Sequence, residues 1–183
     1  MATARIYRGS TMGNRSYLIS SAGLELETNN SEALYWRSLL TPEVLERSRP
    51  AWESAETEED PPVGLTAIVL TVGEARAPMA RFGALIAEQL PEQNELYGEF
   101  ARAVGDAPND ARVTIEYEEL AWFTSHAEFF ADLVNAVRAT ANGDLSWVTA
   151  LQDNPISEGF GFYGDDSRAG DAWRASAAEA GLT

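Results

Sequence analysis

The 183 residues carry 13 arginines and no lysine, set against 29 carboxylates, for a formal net charge of −16; there is no cysteine and one histidine. Without lysine the chain excludes Schiff-base chemistry, a pyridoxal-phosphate anchor and a Walker-type phosphate loop. A hydrophobic fraction of 45% with five tryptophans places it among folded globules of one domain rather than acidic disordered segments.

Taken in chain order, the first segment, Arg5-Ile6-Tyr7-Arg8, reads as a short strand, followed by a loop from Gly9 to Gly13. Tyr17–Ser20 and Leu24–Thr28 read as two arms of a hairpin around Ser21-Ala22-Gly23, because Leu24 and Leu26 alternate with Glu25 and Glu27. Two helices are expected next. Asn30 or Ser31 caps the first, with Leu34, Tyr35 and Leu39 as its apolar stripe, and Thr41-Pro42-Glu43 opens the second. The segment 56–62 (Glu-Thr-Glu-Glu-Asp-Pro-Pro) is an exposed acidic and proline-rich loop.

Leu65–Val72 is a continuous apolar run of strand length, expected as a central strand buried on both faces and ended by Gly73. Met79, Phe82, Ile86 and Leu90 then recur at helical spacing. Pro91 restarts the helix, and Leu96, Phe100 and Val104 continue the pattern as far as Gly105–Asn109. Val113, Ile115 and Tyr117 alternate with Thr114, Glu116 and Glu118. Leu120 and Trp122 resume on the opposite parity, which predicts a bulge or strand end at Glu118-Glu119.

Ser125-His126-Ala127-Glu128 has the form of a capping box opening a helix to about Thr140, stopped by Asn142-Gly143. A strand around Leu145–Leu151, a glycine-spaced aromatic stretch 159–164 and an alanine-rich terminal helix carrying Trp173 complete the chain. The expectation is an α+β fold: one domain over residues 1–183, with a mixed sheet covered by helices.

Motifs that carry chemistry are sparse. His126 sits in the first turn of its helix, and no His/Asp/Glu pattern has metal-ligand spacing. Glu116 and Glu118 are alternate residues of a predicted strand, about 7 Å apart on one face. That spacing suits paired-carboxylate acid/base work, but it is also that of a solvated strand face, and nothing nearby supplies a desolvating pocket. The G-x-G-x-x-G spacing of Gly159–Gly164 carries Phe160, Phe162 and Tyr163 where a pyrophosphate needs small residues, and so favours an aromatic packing element.

Arg8 in Tyr7-Arg8-Gly9, the Phe123-Thr124-Ser125 segment and the pair Glu116/Glu118 resemble the three pieces of the arginine-type ADP-ribosyltransferase signature. The resemblance implies an NAD-consuming enzyme built on carboxylate and arginine. It departs from the family in order, since E-x-E precedes the hydroxyl segment here.

The composition points instead to a non-catalytic binding protein without a cofactor, acting through protein–protein contacts. An acidic surface steers a chain towards basic partners and away from nucleic acid and membrane. The most concrete form is an accessory inhibitor of a basic, nucleic-acid-binding protein, of the kind phages and mobile elements encode, resembling DNA mimics in size and acidity alone. The residues expected to meet the partner are Glu56, Glu58, Glu59, Asp60, Glu116, Glu118 and Glu119, and a continuous negative face is expected of Glu25 and Glu27 with the 56–60 cluster, or of the Glu116–Glu119 group. The alternative is a structural subunit of a virion or other homo-oligomer. With no apolar run of about 20 residues and no signal-peptide core at the N-terminus, the expected location is the cytoplasm, the host's if the protein is viral.

Overall fold

The hairpin forms where glycine permits it. Strand β1 (Arg15–Ser20) pairs antiparallel with β2 (Glu25–Asn29), Leu18 facing Leu26, and Gly23 closes the turn at φ +102°. The computed structural model describes residues 15–29 and 34–147. The expected N-terminal strand and loop, the Asn30/Ser31 cap, the 159–164 stretch and the Trp173 helix lie outside them.

A 3-10 turn, Leu34–Leu39, takes the place of the first expected helix and buries Tyr35, Trp36 and Leu39. Helix α1 (Pro42–Thr57) follows. The Thr41 side chain accepts from Val44 N–H and Pro42 stands in its first turn, as the sequence predicts. Strand β3 (Ile68–Thr71) leads directly into α2 (Val72–Gln89), which carries buried Met79, Phe82 and Ile86. Pro50 and Pro78 each remove one N–H from α1 and α2. Both helices continue because buried side chains on either side of each proline hold the two halves to the core. A 3-10 turn at Pro91–Gln93 then starts α3 (Asn94–Gly105). Strand β4 (Arg112–Glu116), the one-turn α4 (Glu118–Ala121) and α5 (His126–Ala141) complete the described fold.

The α+β architecture is as expected, with one difference in the sheet. Its order is β2-β1-β4-β3 and all three pairings are antiparallel, not mixed. The reason lies between β3 and β4. Helices α2 and α3 form an antiparallel hairpin that returns the chain to the end where β3 finished, so β4 runs back beside it. Val72 N–H donating to Ala111 O at 2.9 Å and Gly73 N–H to Asn109 O at 2.8 Å hold the two ends together.

The expected central strand is also corrected. Only Ile68–Thr71 of the Leu65–Val72 run is strand, and it is an edge with Val69 43% exposed. A full capping box ends it early. Thr71 Oγ1 accepts from Glu74 N–H while the Glu74 carboxylate accepts from Thr71 N–H, which draws Val72 into the helix. The edge is guarded from α1, where Arg47 donates to Val69 O at 3.4 Å and pairs with Glu74 at 2.7 Å.

One side of the sheet supplies Leu18, Leu26, Ile68, Leu70, Val113 and Ile115 to the core, beneath the helices. Thr66 is buried there, and its hydroxyl makes no hydrogen bond. Thr66→Val is therefore expected to stabilise the protein by about 1 kcal/mol, since it removes an unsatisfied buried hydroxyl at constant shape; a lower midpoint in urea would contradict this.

Glu74 also ties stability to pH. The Thr71 backbone hydrogen bond, then the Arg47 side chain, hold its carboxyl below the ordinary 4.5. Its charged form is thus favoured by folding. The stabilisation is complete above about pH 4.5 and lost as pH falls through the lower folded value. Glu74→Gln is expected to lower the unfolding midpoint at pH 7, with a deficit that shrinks as the pH falls below 4.5, measured by urea titration at pH 7 and at pH 3. An equal deficit at both pH values would show that the charge is not involved.

Candidate partner-binding surface

Helix α1 ends at Thr57, so Glu56 and Thr57 belong to the helix and the acidic loop begins at Glu58, which adopts an extended backbone. Side chains satisfy the frayed end: Thr57 Oγ1 donates to Ser54 O at 2.9 Å, and Ser54 Oγ donates to Glu58 Oε1 at 2.8 Å. The loop then turns through Gly64, at φ +78°, where glycine alone is unstrained.

Two long-range hydrogen bonds stitch this loop to α4 and the end of α1 to the first turn of α5. Gly64 N–H donates to Glu118 Oε2 at 3.0 Å. Ala127 N–H, in the first turn of α5, donates to Glu56 Oε2 at 2.9 Å. There Glu56 complements the positive end of the helix, beside Ser125 Oγ, which accepts from Glu128 N–H at 3.1 Å. The first turns of α5 are held in turn by Trp52 of α1, stacked on Phe129 and Phe130.

The expected acidic residues thus divide by what they hold. Glu56, Glu58 and Glu118 lie together at the α1–α5 end, each with a structural hydrogen bond. Glu59 and Asp60 are exposed and make no hydrogen bond or ion pair among the described residues. Glu119 turns to the sheet and accepts from Arg15 N–H at 2.7 Å. Glu116 ends β4 opposite Tyr17, and Glu27, itself opposite Tyr17 on the other side, pairs with Arg15. Burial and the nearby Glu27 carboxylate, with Glu119 beyond, raise the Tyr17 hydroxyl above its ordinary value against the opposing pull of Arg15. Glu25 and Glu27 therefore belong with Glu116 on the outer face of the sheet, and consecutive Glu118 and Glu119 link that face to the α1–α5 end.

Three sequence expectations change here. Glu116 and Glu118 do not share a strand face, because the strand ends at Glu116 and Glu118 starts the α4 turn. Tyr117 between them is buried against Trp36 and Phe129, which turns the chain. Leu120 and Trp122 do not share a face either: Leu120 is buried, whereas Trp122 and its neighbour Phe123 are 61% and 62% exposed. Leu145 is not in a strand, and Ser146 and Trp147 are helical; the rest of the expected 145–151 strand lies outside the described residues.

The chemical alternatives find little to build on. Ser125 caps a helix and Thr124 donates to Ser125 O at 3.4 Å, so this pair is a turn rather than the strand of the ADP-ribosyltransferase signature; Arg8 lies outside the described residues. His126 is half-buried with its ring 6.1 Å from Trp52. No group of three or more His, Asp or Glu residues could hold a metal ion among the described residues. Two open clefts, of about 320 and 370 Å³, lie elsewhere, and Glu116, Glu118 and His126 line neither. No helix among the described residues is long and apolar enough to cross a membrane. Comparison of the chain with family models, with curated proteins and with solved structures finds no match.

Proposed function

We propose that this protein is a non-catalytic binding protein that engages a basic protein partner through the acidic surface running from the 58–60 loop across α4, and that it acts as an accessory inhibitor of a nucleic-acid-binding protein. The observation that carries the reading is the joining of two acidic groups distant in sequence, through the Glu118–Gly64 and Glu56–Ala127 hydrogen bonds, at one end of a chain of net charge −16. Carboxylates held by a folded backbone present a fixed negative field, as a phosphate backbone does, and attract arginine and lysine.

The test is competition. A labelled 20-base-pair DNA duplex is bound to each of a panel of basic nucleic-acid-binding proteins, and displacement by this protein is followed by fluorescence anisotropy. Displacement is expected for at least one member, weakening on the order of tenfold between low and physiological salt. Glu59→Gln with Asp60→Asn, which breaks no hydrogen bond, is expected to weaken it further. Displacement insensitive to salt and to these substitutions would refute the reading.

A further inference from the structure

Four large apolar side chains are exposed among the described residues: Val63, Val69, Trp122 and Phe123. Val69 belongs to the guarded sheet edge, and the other three lie on the two segments that the Gly64–Glu118 hydrogen bond joins. Glu118 holds Gly64, the neighbour of Val63, and Trp122 stands at the C-cap of the one-turn helix that Glu118 opens. Val63, at 73% exposure, and the two aromatics therefore lie on chain segments that one carboxylate ties together.

The display is built into the chain. Leu120 and Ala121 take the inward positions of the α4 turn, and Ser125 begins the cap of α5 four residues later. Within so short a connection Trp122 and Phe123 have no route to the core. Their backbone is fixed all the same, with Phe123 N–H donating to Leu120 O at 3.1 Å and Thr124 N–H to Ala121 O at 3.2 Å. Glu118 clamps one side of the connection and Glu56 the other. Adjacent exposed aromatics on a preorganised turn are what a protein interface uses as its energetic centre, because a rigid tryptophan buries a large area at small entropic cost.

The rim supplies the partner's chemistry. Glu118 opens the turn and Glu128 follows it, Glu56 accepts from Ala127 N–H just beyond it, and Glu58, Glu59 and Asp60 continue the chain from Glu56 towards Gly64, which Glu118 holds, while Arg47 and Arg49 of α1 are committed to Glu74 and Glu46. We propose that Val63, Trp122 and Phe123 are the apolar anchor of the binding surface, and that they take a protein segment presenting an apolar side chain flanked by arginine or lysine. The acidic rim repels DNA, RNA and anionic membrane from the same spot and leaves a basic polypeptide as the occupant. This rests on the proposed function for the sign of the partner's charge, and adds the place and the apolar requirement.

The experiment uses two fluorescein-labelled 12-residue peptides of equal charge, one of arginine and leucine, the other with every leucine replaced by serine. The arginine–leucine peptide is expected to bind at least tenfold more tightly than the arginine–serine peptide. Trp122→Ser with Phe123→Ser is expected to abolish that difference while leaving the arginine–serine peptide unaffected. Circular dichroism verifies the fold of the variant. Independently, the Trp122 emission, obtained as wild type minus Trp122→Phe, is expected to shift to the blue on binding. If the aromatic substitutions change nothing but Glu59→Gln with Asp60→Asn weakens both peptides, the anchor is refuted and the acidic reading survives. If charge neutralisation has no effect on either peptide, the acidic reading itself fails. Failure of the arginine–leucine peptide to bind in low salt, or a concentration-dependent dimer abolished by Trp122→Ser, would overturn the proposal in favour of no site or of a second copy.

Discussion

Replacing Trp52 by alanine is expected to remove about 3–5 kcal/mol of stability, a large share of the roughly 5–15 kcal/mol that holds a domain together. Trp52 is 1% exposed and joins α1 to α5. Its ring stacks at 5.7 Å on Phe129 and at 5.3 Å on Phe130, and meets His126 edge-on at 6.1 Å. The indole N–H makes no hydrogen bond, so the loss comes from burial and packing alone. Trp52→Phe keeps a ring between the helices and is expected to cost less than half as much. Urea unfolding followed by circular dichroism measures both, and a loss below about 1 kcal/mol for the alanine variant would show that the helix pair is held by other contacts. The effect extends to the surface, because Glu56 reaches the α5 N-terminus only while Trp52 keeps the two helices together.

The second large effect centres on Tyr97, where α3 crosses α2. Its ring lies 5.2 Å from Tyr35 and Phe82 and 6.1 Å from Phe100, and its hydroxyl donates to Met79 O at 2.8 Å. Tyr97→Leu is expected to cost about 2–4 kcal/mol, from lost ring contacts and a carbonyl left without this partner. The close approach depends on Gly83, where an added Cβ would stand 3.0 Å from Tyr97 Cε1. Alanine favours a helix interior over glycine by about 1 kcal/mol. Gly83→Ala is therefore expected to destabilise the wild type but to stabilise the Tyr97→Leu variant, a reversal of sign that a double-mutant cycle in urea reads directly. The same sign in both backgrounds would mean that the ring moves aside freely.

Tyr97 also predicts an alkaline limit. Burial raises its hydroxyl well above the ordinary 10.0. Folding thus favours the protonated phenol, and its contribution is complete below about pH 10 and falls as pH rises beyond. Tyr97→Phe is expected to lose less stability than wild type between pH 9 and 11, and parallel losses would assign the limit elsewhere.

Local signals carried much of this fold. Thr41-Pro42 and Ser125 are N-caps as their side-chain chemistry requires, although of the Ser125-x-x-Glu128 box only the Ser125 half forms, its hydroxyl accepting from Glu128 N–H. The 3.6-residue period from Met79 to Val104 is two helices broken at Pro91, and Gly23 closes a hairpin. Each of these depends on atoms within a few residues, which is why they can be read in order along the chain. Composition likewise determined, without any coordinates, that lysine and cysteine chemistry are excluded and that the chain carries a net charge of −16.

Tertiary structure decided the rest. Whether Leu65–Val72 lay at the centre or the edge of the sheet depended on the path of α2 and α3, since the same apolar run suits either place. Glu116 and Glu118 parted because Tyr117 found a pocket between Trp36 and Phe129 that no neighbour in sequence provides. The acidic loop and the α4–α5 turn are more than 50 residues apart in sequence, and the Gly64–Glu118 hydrogen bond alone spans 54 positions. Their meeting is a property of the packed helices. Trp122 and Phe123 carried the same letters as core residues; only the folded chain, with Leu120 and Ala121 already filling the inward positions, left them facing outwards.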